Sequence, residues 1–380
     1  MSKKIVLLNT WHGSFDDRVF YHQAKCLAAH GNVIQVISTK DDCHQELDGI
    51  SIHSFNGHGL TRKNKMRKML DYLTLFSPGI IICDSPLGVF ASKKYKKEHT
   101  LKIIYDITEW YPSKIHLQYF KGFHKMLKFG VLMIANLSAG LKSDSFIFGE
   151  YYKSIEFRTL FFWKKYSLLP YFPDINYIRY YPLKKIASEI NLLYTGKINT
   201  DKGIDTVIGA IKLASIKCPE IQFKLKIIGD FPTNVDQSEF NQSVTGLKDN
   251  VHINIVRSLP YLEFCKTIGD TNIFFDLRKI DFENTHCMPI KLFYYIACGR
   301  PVIYSNLKAI RKEMKDINFG YLCNPNEIDS VASKLLDYIL QPDIYLEHAT
   351  NALAISKSTY NWEAIENDFI SFIESHVIIE

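Results

Sequence analysis

Two glycine-bearing segments hold the residues best suited to chemistry. In Leu193-Tyr194-Thr195-Gly196-Lys197-Ile198-Asn199-Thr200-Asp201-Lys202-Gly203, an apolar run ends at one glycine, and two lysines precede a second. Beyond Gly203, residues Ile204, Val207, Ile208 and Ile211 share one helical face, so a helix starts there. A helix N-terminus has unpaired N–H groups and a positive end, and Lys197 and Lys202 place point charges beside it. A phosphate or diphosphate suits that chemistry. The second segment runs from Met288 to Ile303 and carries Lys291 and Tyr294. Pro289 fits a first helical turn, Gly299 fits the position that ends a helix, and Pro301-Val302-Ile303 restarts a strand. Taken singly, each segment also reads as an ordinary connection.

Four further groups are chemically interesting. Asp106 and Glu109 lie in Asp106-Ile107-Thr108-Glu109-Trp110-Tyr111-Pro112, where two carboxylates stand three residues apart at the end of an apolar run. Gly13 lies in Trp11-His12-Gly13-Ser14 after the first apolar run, where His12 is an acid/base by position or a structural loop histidine. Gly229 follows Ile227-Ile228 at another run's end, and His286 precedes the second segment.

The elements that must position these groups alternate. In the first half, strands are expected at Lys4–Asn9, Val33–Ser38, Gly49–Phe55, Gly79–Cys83 and Leu101–Asp106. A helix capped by Asp16-Asp17 runs to Gly31, and a basic helix covers about 63–76. Residues 150–190 break the rhythm, with prolines 170, 173 and 182 marking a connection near 172–190. The second half repeats the alternation. Strands are expected at Asn191–Thr195, Phe223–Ile228, Val251–Ile255, Ile273–Leu277, Pro301–Tyr304 and Gly320–Leu322, with a closing helix near Trp362–His376. Such alternation predicts an α/β fold of two doubly wound, Rossmann-like parallel-sheet domains, with ligands in a central cleft at the strands' carboxyl ends. The expected division is 1–172 and 185–359, with 360–380 packing back on the first domain.

Composition fits this picture. The chain has 380 residues, more than one core usually supports. Apolar residues are 47 % and charged residues 23 %, ordinary for a globular protein. The net charge of +6 is too mild to imply nucleic acid. Its clusters say more. Arg62, Lys63, Lys65, Arg67 and Lys68 precede an apolar helical stripe, and Lys93, Lys94, Lys96 and Lys97 form a second knot. Either is a solvated face or a contact with an anionic membrane surface. The eight cysteines form no C-x-x-C pair or zinc spacing, which predicts buried thiols in a reducing compartment and no metal site. The run Ile5–Leu8 is too short for a signal peptide. Phe129–Leu141 falls short of the roughly 20 apolar residues of a spanning helix. A cytoplasmic protein, peripheral on the membrane's inner face, is the expectation.

The pattern K-L-F-x-Y-x-A-x-G-x-P-V-I of Lys291–Ile303, together with the Gly196–Gly203 loop, resembles glycosyltransferase family 4. Asp17-Arg18 with Ala24, Leu27 and Gly31 is similar to the family's first helix, Asp106–Pro112 to its D-x-H-E loop, and Ile227–Asp230 to its I-x-G strand end. Tyr360-Asn361-Trp362-Glu363 is similar to the start of its last helix. The resemblance implies a GT-B fold and transfer of a sugar from a UDP- or GDP-linked donor with retention. It implies no metal requirement, and an acceptor that is a saccharide or lipid-linked saccharide, as in surface polysaccharide synthesis. It implies Asp106, Glu109 and His286 as catalytic residues. The donor would be held by Gly13, Gly196, Lys197, Lys202, Gly229, Lys291 and Tyr294.

The departures are specific. The family's diphosphate arginine falls on Lys197, its loop histidine on Thr108, and its two glutamates on His286 and Tyr294. These motivate an alternative, a non-catalytic homologue that binds a nucleotide-sugar or a partner transferase. A nicotinamide-dependent oxidoreductase is disfavoured, because no G-x-G-x-x-G occurs.

Overall fold

The computed structural model describes residues 3–183, 185–315 and 317–376. Residues 377–380 of the expected 360–380 segment therefore lie outside the described residues. The chain divides into two units, one ending at Tyr171 and resuming at Ile365, the other spanning Phe172–Ala364.

Unit 1 is built on eight strands: β1 (Lys4–Asn9), β2 (Val33–Ser38), β3 (Cys43–Leu47), β4 (Ile50–Ser54), β5 (Ile80–Cys83), β6 (Lys102–Ile107), β7 (Ser145–Phe148) and β8 (Tyr166–Leu168). Their order is β3-β4-β2-β1-β5-β6-β7-β8. Only β3 is antiparallel to its neighbour. The central strands are runs of Ile, Val and Leu because helices cover both faces, so no alternation survives. Val6, Leu8, Ile81 and Ile103 are fully buried in that core.

Strands β7 and β8, and the helix Tyr151–Leu160 between them, lie where no regular element was expected, and two further features also depart from the expectations. The Cys-His-Gln-Glu-Leu strand β3 is mostly exposed and has no apolar run to betray it. Asp48 (φ 53°) and Gly49 (φ 73°) turn it back onto β4, as a tight hairpin with two positive φ angles requires. The first helix is not a regular α-helix. Asp17–Ala24 is a π-helix that passes into an α-helical turn at Lys25–Ala29. Phe20 and Tyr21 N–H both donate to Asp16 O (2.9 and 3.4 Å), so the turn widens from its first residue.

Among the described residues, unit 2 has six strands, all parallel: β9 (Glu189–Thr195), β10 (Gln222–Ile228), β11 (Val251–Val256), β12 (Ile273–Asp276), β13 (Val302–Ser305) and β14 (Gly320–Cys323). The order is β11-β10-β9-β12-β13-β14. Chain order reverses direction at β9, which lies between β10 and β12, and such switch points are where open sheets take ligands. Helix Ile204–Lys217 packs its Val207, Ile208 and Ile211 on Leu192, Phe223 and Leu225. Helix Ile290–Ala297 is buried through six of its eight residues. No described helix is long and apolar enough to cross a membrane.

Candidate functional site

Gly196 ends β9 with φ +122°, a backbone conformation that favours glycine. Its N–H donates to Ile228 O at the end of β10 (2.8 Å). A Cβ on Gly229 would stand 1.7 Å from Gly196 O, and one on Gly203 1.6 Å from Leu277 O. Three glycines thus press loop 196–203 onto the carboxyl ends of β9, β10 and β12.

The charges follow from that packing. Asn199 caps the turn Thr200–Lys202 by accepting from Lys202 N–H (3.0 Å). The Lys202 ammonium then donates to Asn284 Oδ1 (2.8 Å) and lies 3.6 Å from Asp201. Asn284 is held in turn by Asp281 Oδ2 (2.8 Å). Lys291 Nζ lies 2.5 Å from where a Cβ on Gly196 would be, so the missing side chain makes its room. Arg278, just past β12, forms a two-armed pair with Asp276 (2.7 and 2.9 Å). Cys287 borders the same group, close enough to Lys202 and Arg278 to interact electrostatically.

Three cations therefore lie close enough to repel one another, with Asp276 committed to Arg278 and Asp201 3.6 Å from Lys202. Burial lowers the proton affinity of Lys202, and Arg278 lowers it further. Burial brings Lys291 down to about 8, with Arg278 and Lys202 adding to the fall and Asp276 opposing it. An anion entering among these groups relieves both causes at once.

Of the expected donor residues, unit 2 brings together Gly196, Lys202, Gly229 and Lys291. Lys197 is exposed, and only its carbonyl is engaged, accepting from Tyr194 OH (2.6 Å). Tyr294 is buried, edge-on to Phe264 and Tyr261 (ring centroids 5.8 and 6.1 Å). His286 ends the short helix that carries Asn284, and its Nδ1 bonds Phe282 O (2.8 Å). Gly13 belongs to unit 1. Arg278, Asp276 and Asn284 escape the sequence reading. The signal was the charged D-x-R that straddles the end of an apolar run.

In unit 1, Asp106 lies buried at the end of β6. Arg18 reaches both its oxygens (3.0 and 2.9 Å), and Gln23 donates to Oδ2 (2.8 Å). Arg18 also donates to Leu169 O (2.7 Å) and stacks on Tyr171 (4.5 Å). Asp106 is thus the hub that ties the first helix to β6 and β8. Glu109 is exposed, with Lys153 Nζ 3.9 Å away. Lys153 itself is buried against Glu150 and Thr108 O (2.7 and 2.6 Å). His12 pairs through Nδ1 with Asp16 (2.8 Å). Burial opposes its charge, but Asp16, with Asp84 and Asp17, prevails and raises it to about 9. The pairing with Asp16 thus favours the protonated ring.

Residues 189–341 match the family model of glycosyl transferases group 1. No curated protein matches by sequence. Among solved structures, the sucrose-phosphate synthase of Thermosynechococcus elongatus is similar at a TM-score of 0.71 and 14 % identity, covering 98 % of each chain. Anabaena HepE in complex with UDP and glucose is similar at a TM-score of 0.71 and 13 % identity, covering 98 % of this chain and 100 % of that one. A Listeria monocytogenes protein described as a UDP-N-acetylglucosamine 2-epimerase shares the fold at 0.63 and 12 % identity, over 99 % and 97 %. The architecture is the GT-B fold. Residues 189–341 carry the group 1 pattern within it. Fold and family match together support sugar transfer from a nucleotide sugar.

Proposed function

We propose that this chain is a retaining glycosyltransferase that moves a hexosyl group from a UDP- or GDP-sugar to a saccharide or lipid-linked saccharide, in surface polysaccharide synthesis. The observation that carries the reading is the cluster of Lys202, Arg278 and Lys291 beside the glycine-cradled loop 196–203. It offers positive charge where a diphosphate leaves. In front-face displacement the bond from the anomeric carbon to the diphosphate oxygen breaks. The acceptor oxygen bonds that carbon on the same face, and its proton passes to the departing diphosphate. Lys202 and Lys291 stabilise the charge that grows on the leaving group, and the chemistry needs no separate base. Glu109, exposed in unit 1, is the carboxylate we assign to the acceptor hydroxyl. Asp106 acts by holding Arg18 and the end of β6. His286 lies near enough to Asn284 in sequence to assist the donor phosphates. Peripheral attachment to an anionic membrane through the basic helix Arg62–Phe76 fits its exposed Leu75. In the second knot, Lys96 is tied to Asp144 (2.8 and 2.7 Å).

Donor binding without transfer is the second reading. Tyr294 favours it, because a buried ring lodged against Phe264 and Tyr261 stands where the family pattern has a ribose-binding glutamate. A panel of UDP- and GDP-sugars, scored for thermal shift and for transfer to sugar acceptors, separates the readings. Stabilisation with transfer supports the enzyme. Stabilisation without transfer or donor hydrolysis supports the binding protein, and no response to any donor overturns both.

A further inference from the structure

Unit 1 has a cavity of about 470 Å³ at the carboxyl ends of β1, β2, β5 and β6 that the donor chemistry does not use. Its charged wall is Lys40, Arg62, Lys65 and Lys128, and among the described residues no carboxylate lines it. His116 also lines it. The Ser113 N–H donates to His116 Nδ1 (3.0 Å), which leaves the ring proton on Nε2. Burial pulls this histidine's proton affinity down and keeps the ring neutral. That Nε2 is buried without a hydrogen-bond partner. Four cations and an unpaired donor thus line one space, which suits a phosphate or diphosphate head.

The opposite wall is apolar and leads outward. Leu132, Val131 and Ala135 come from helix Gly122–Lys142, which buries only Leu132, Asn136, Ala139 and Gly140. At 3.6 residues per turn, Phe123, Leu127, Ile134 and Leu141 form one stripe. They are 74, 57, 69 and 60 % exposed. Val131 falls between that stripe and Lys128 on the pocket side, one turn from Leu127 and Ile134, so it links the cavity wall to the exposed face of the helix. A stripe of this kind on a soluble surface marks a binding site.

We infer that this cavity and stripe hold the acceptor as a single anionic amphiphile, its phosphate head among Lys40, Arg62, Lys65 and Lys128 and its hydrocarbon chain along Phe123, Leu127 and Ile134. The inference rests on the transferase reading for the word acceptor, and on unit 1 alone for the binding. It narrows the acceptor to a lipid-linked phosphate or diphosphate, and it gives the basic helix Arg62–Phe76 a pocket wall as its role.

The test uses octyl, decyl and dodecyl phosphate below their micelle thresholds, titrated against the whole chain and followed by intrinsic tryptophan fluorescence and calorimetry. Affinity should rise about two- to fourfold per added methylene. Dodecyl phosphate should bind at least tenfold more tightly than inorganic pyrophosphate or dodecyl glucoside. Lys65→Ala with Lys128→Ala should cost tenfold or more for dodecyl phosphate and leave dodecyl glucoside unchanged. Ile134→Ser with Phe123→Ser, both exposed and tolerant of change, should flatten the chain-length series and spare pyrophosphate. Equal binding of the phosphate and the glucoside overturns the proposal. So does binding to anionic vesicles without binding to the monomeric probe. UDP and GDP titrated in parallel keep the two readings apart: amphiphile binding with no response to either nucleotide sinks the transferase and leaves the site, and the reverse sinks the site alone.

Discussion

Arg18 and Asp106, 88 residues apart, meet in a buried two-armed ion pair, Nε to Oδ2 at 3.0 Å and Nη2 to Oδ1 at 2.9 Å. Both side chains are almost wholly shielded from water. Removing one partner leaves the other charge buried alone, which costs about 3–5 kcal/mol. Asp106→Ala should therefore lower stability by that order in urea unfolding, whatever it does to turnover. A variant that unfolds at the parental urea midpoint would show that Asp106 is free for chemistry.

Lys202→Ala should reduce transfer a hundred- to thousand-fold while weakening intact donor much less, because the charge it meets grows in the transition state; that corresponds to about 2.7–4 kcal/mol. Steady-state kinetics on the preferred donor decides it. Unchanged turnover and donor affinity would remove the diphosphate role and leave donor binding elsewhere.

Tyr294→Phe should leave kcat and donor KM close to the parent's, since the ring packs against Phe264 and Tyr261. If its hydroxyl holds ribose instead, the donor KM rises and kcat stays, as expected for a contact alike in ground and transition states. The KM-against-kcat split distinguishes the two.

Lys291 titrates near 8 in the folded chain against 10.5 ordinarily. Between these values the unfolded chain holds a proton that the folded chain lacks, so this residue makes stability rise with pH there. Below about 8 the folded chain carries the buried charge at a cost. Lys291→Met should thus be more stable than the parent at pH 7, with the difference shrinking as pH rises past 8. UDP affinity of the parent should fall as pH rises through 8, since binding needs the ammonium. Denaturation and UDP titrations from pH 6.5 to 10 test both. An unchanged stability difference across that range would count against the assignment.

Gly229→Ala should disrupt donor binding more than a surface glycine change would, because its Cβ would lie 1.7 Å from Gly196 O and must push the loop off β10. A UDP titration showing parental affinity would mean the loop has slack that the packing does not suggest.

What could be read in advance was what local sequence encodes. Lys4–Asn9 and Val33–Ser38 are strands with the expected bounds, because strands buried on both faces announce themselves as runs of Val, Ile and Leu. Strand β3 was hidden because an edge strand needs no such run, although Asp48-Gly49 marked its turn. The π-helix was hidden because it depends on how Asp16 O is shared. Of the cation cluster, Lys202 and Lys291 lay in recognisable patterns. Arg278 did not, since its meaning arises only when β12 is laid beside β9. Arg62 and Lys65 read as a charge run along a helix, and only the folded chain turns them into one wall of a cavity.

Of the eight free cysteines, six are buried, and only Cys43 and Cys287 are partly open. Cys287 sits beside Lys202 and Arg278, in unit 2, and Cys43 lies on β3, in unit 1. The chain thus carries a matched pair of chemical reporters without any engineering. A thiol-alkylating reagent applied to the native protein should mark both, and peptide mapping should show UDP slowing the reaction at Cys287 while Cys43 serves as the internal clock.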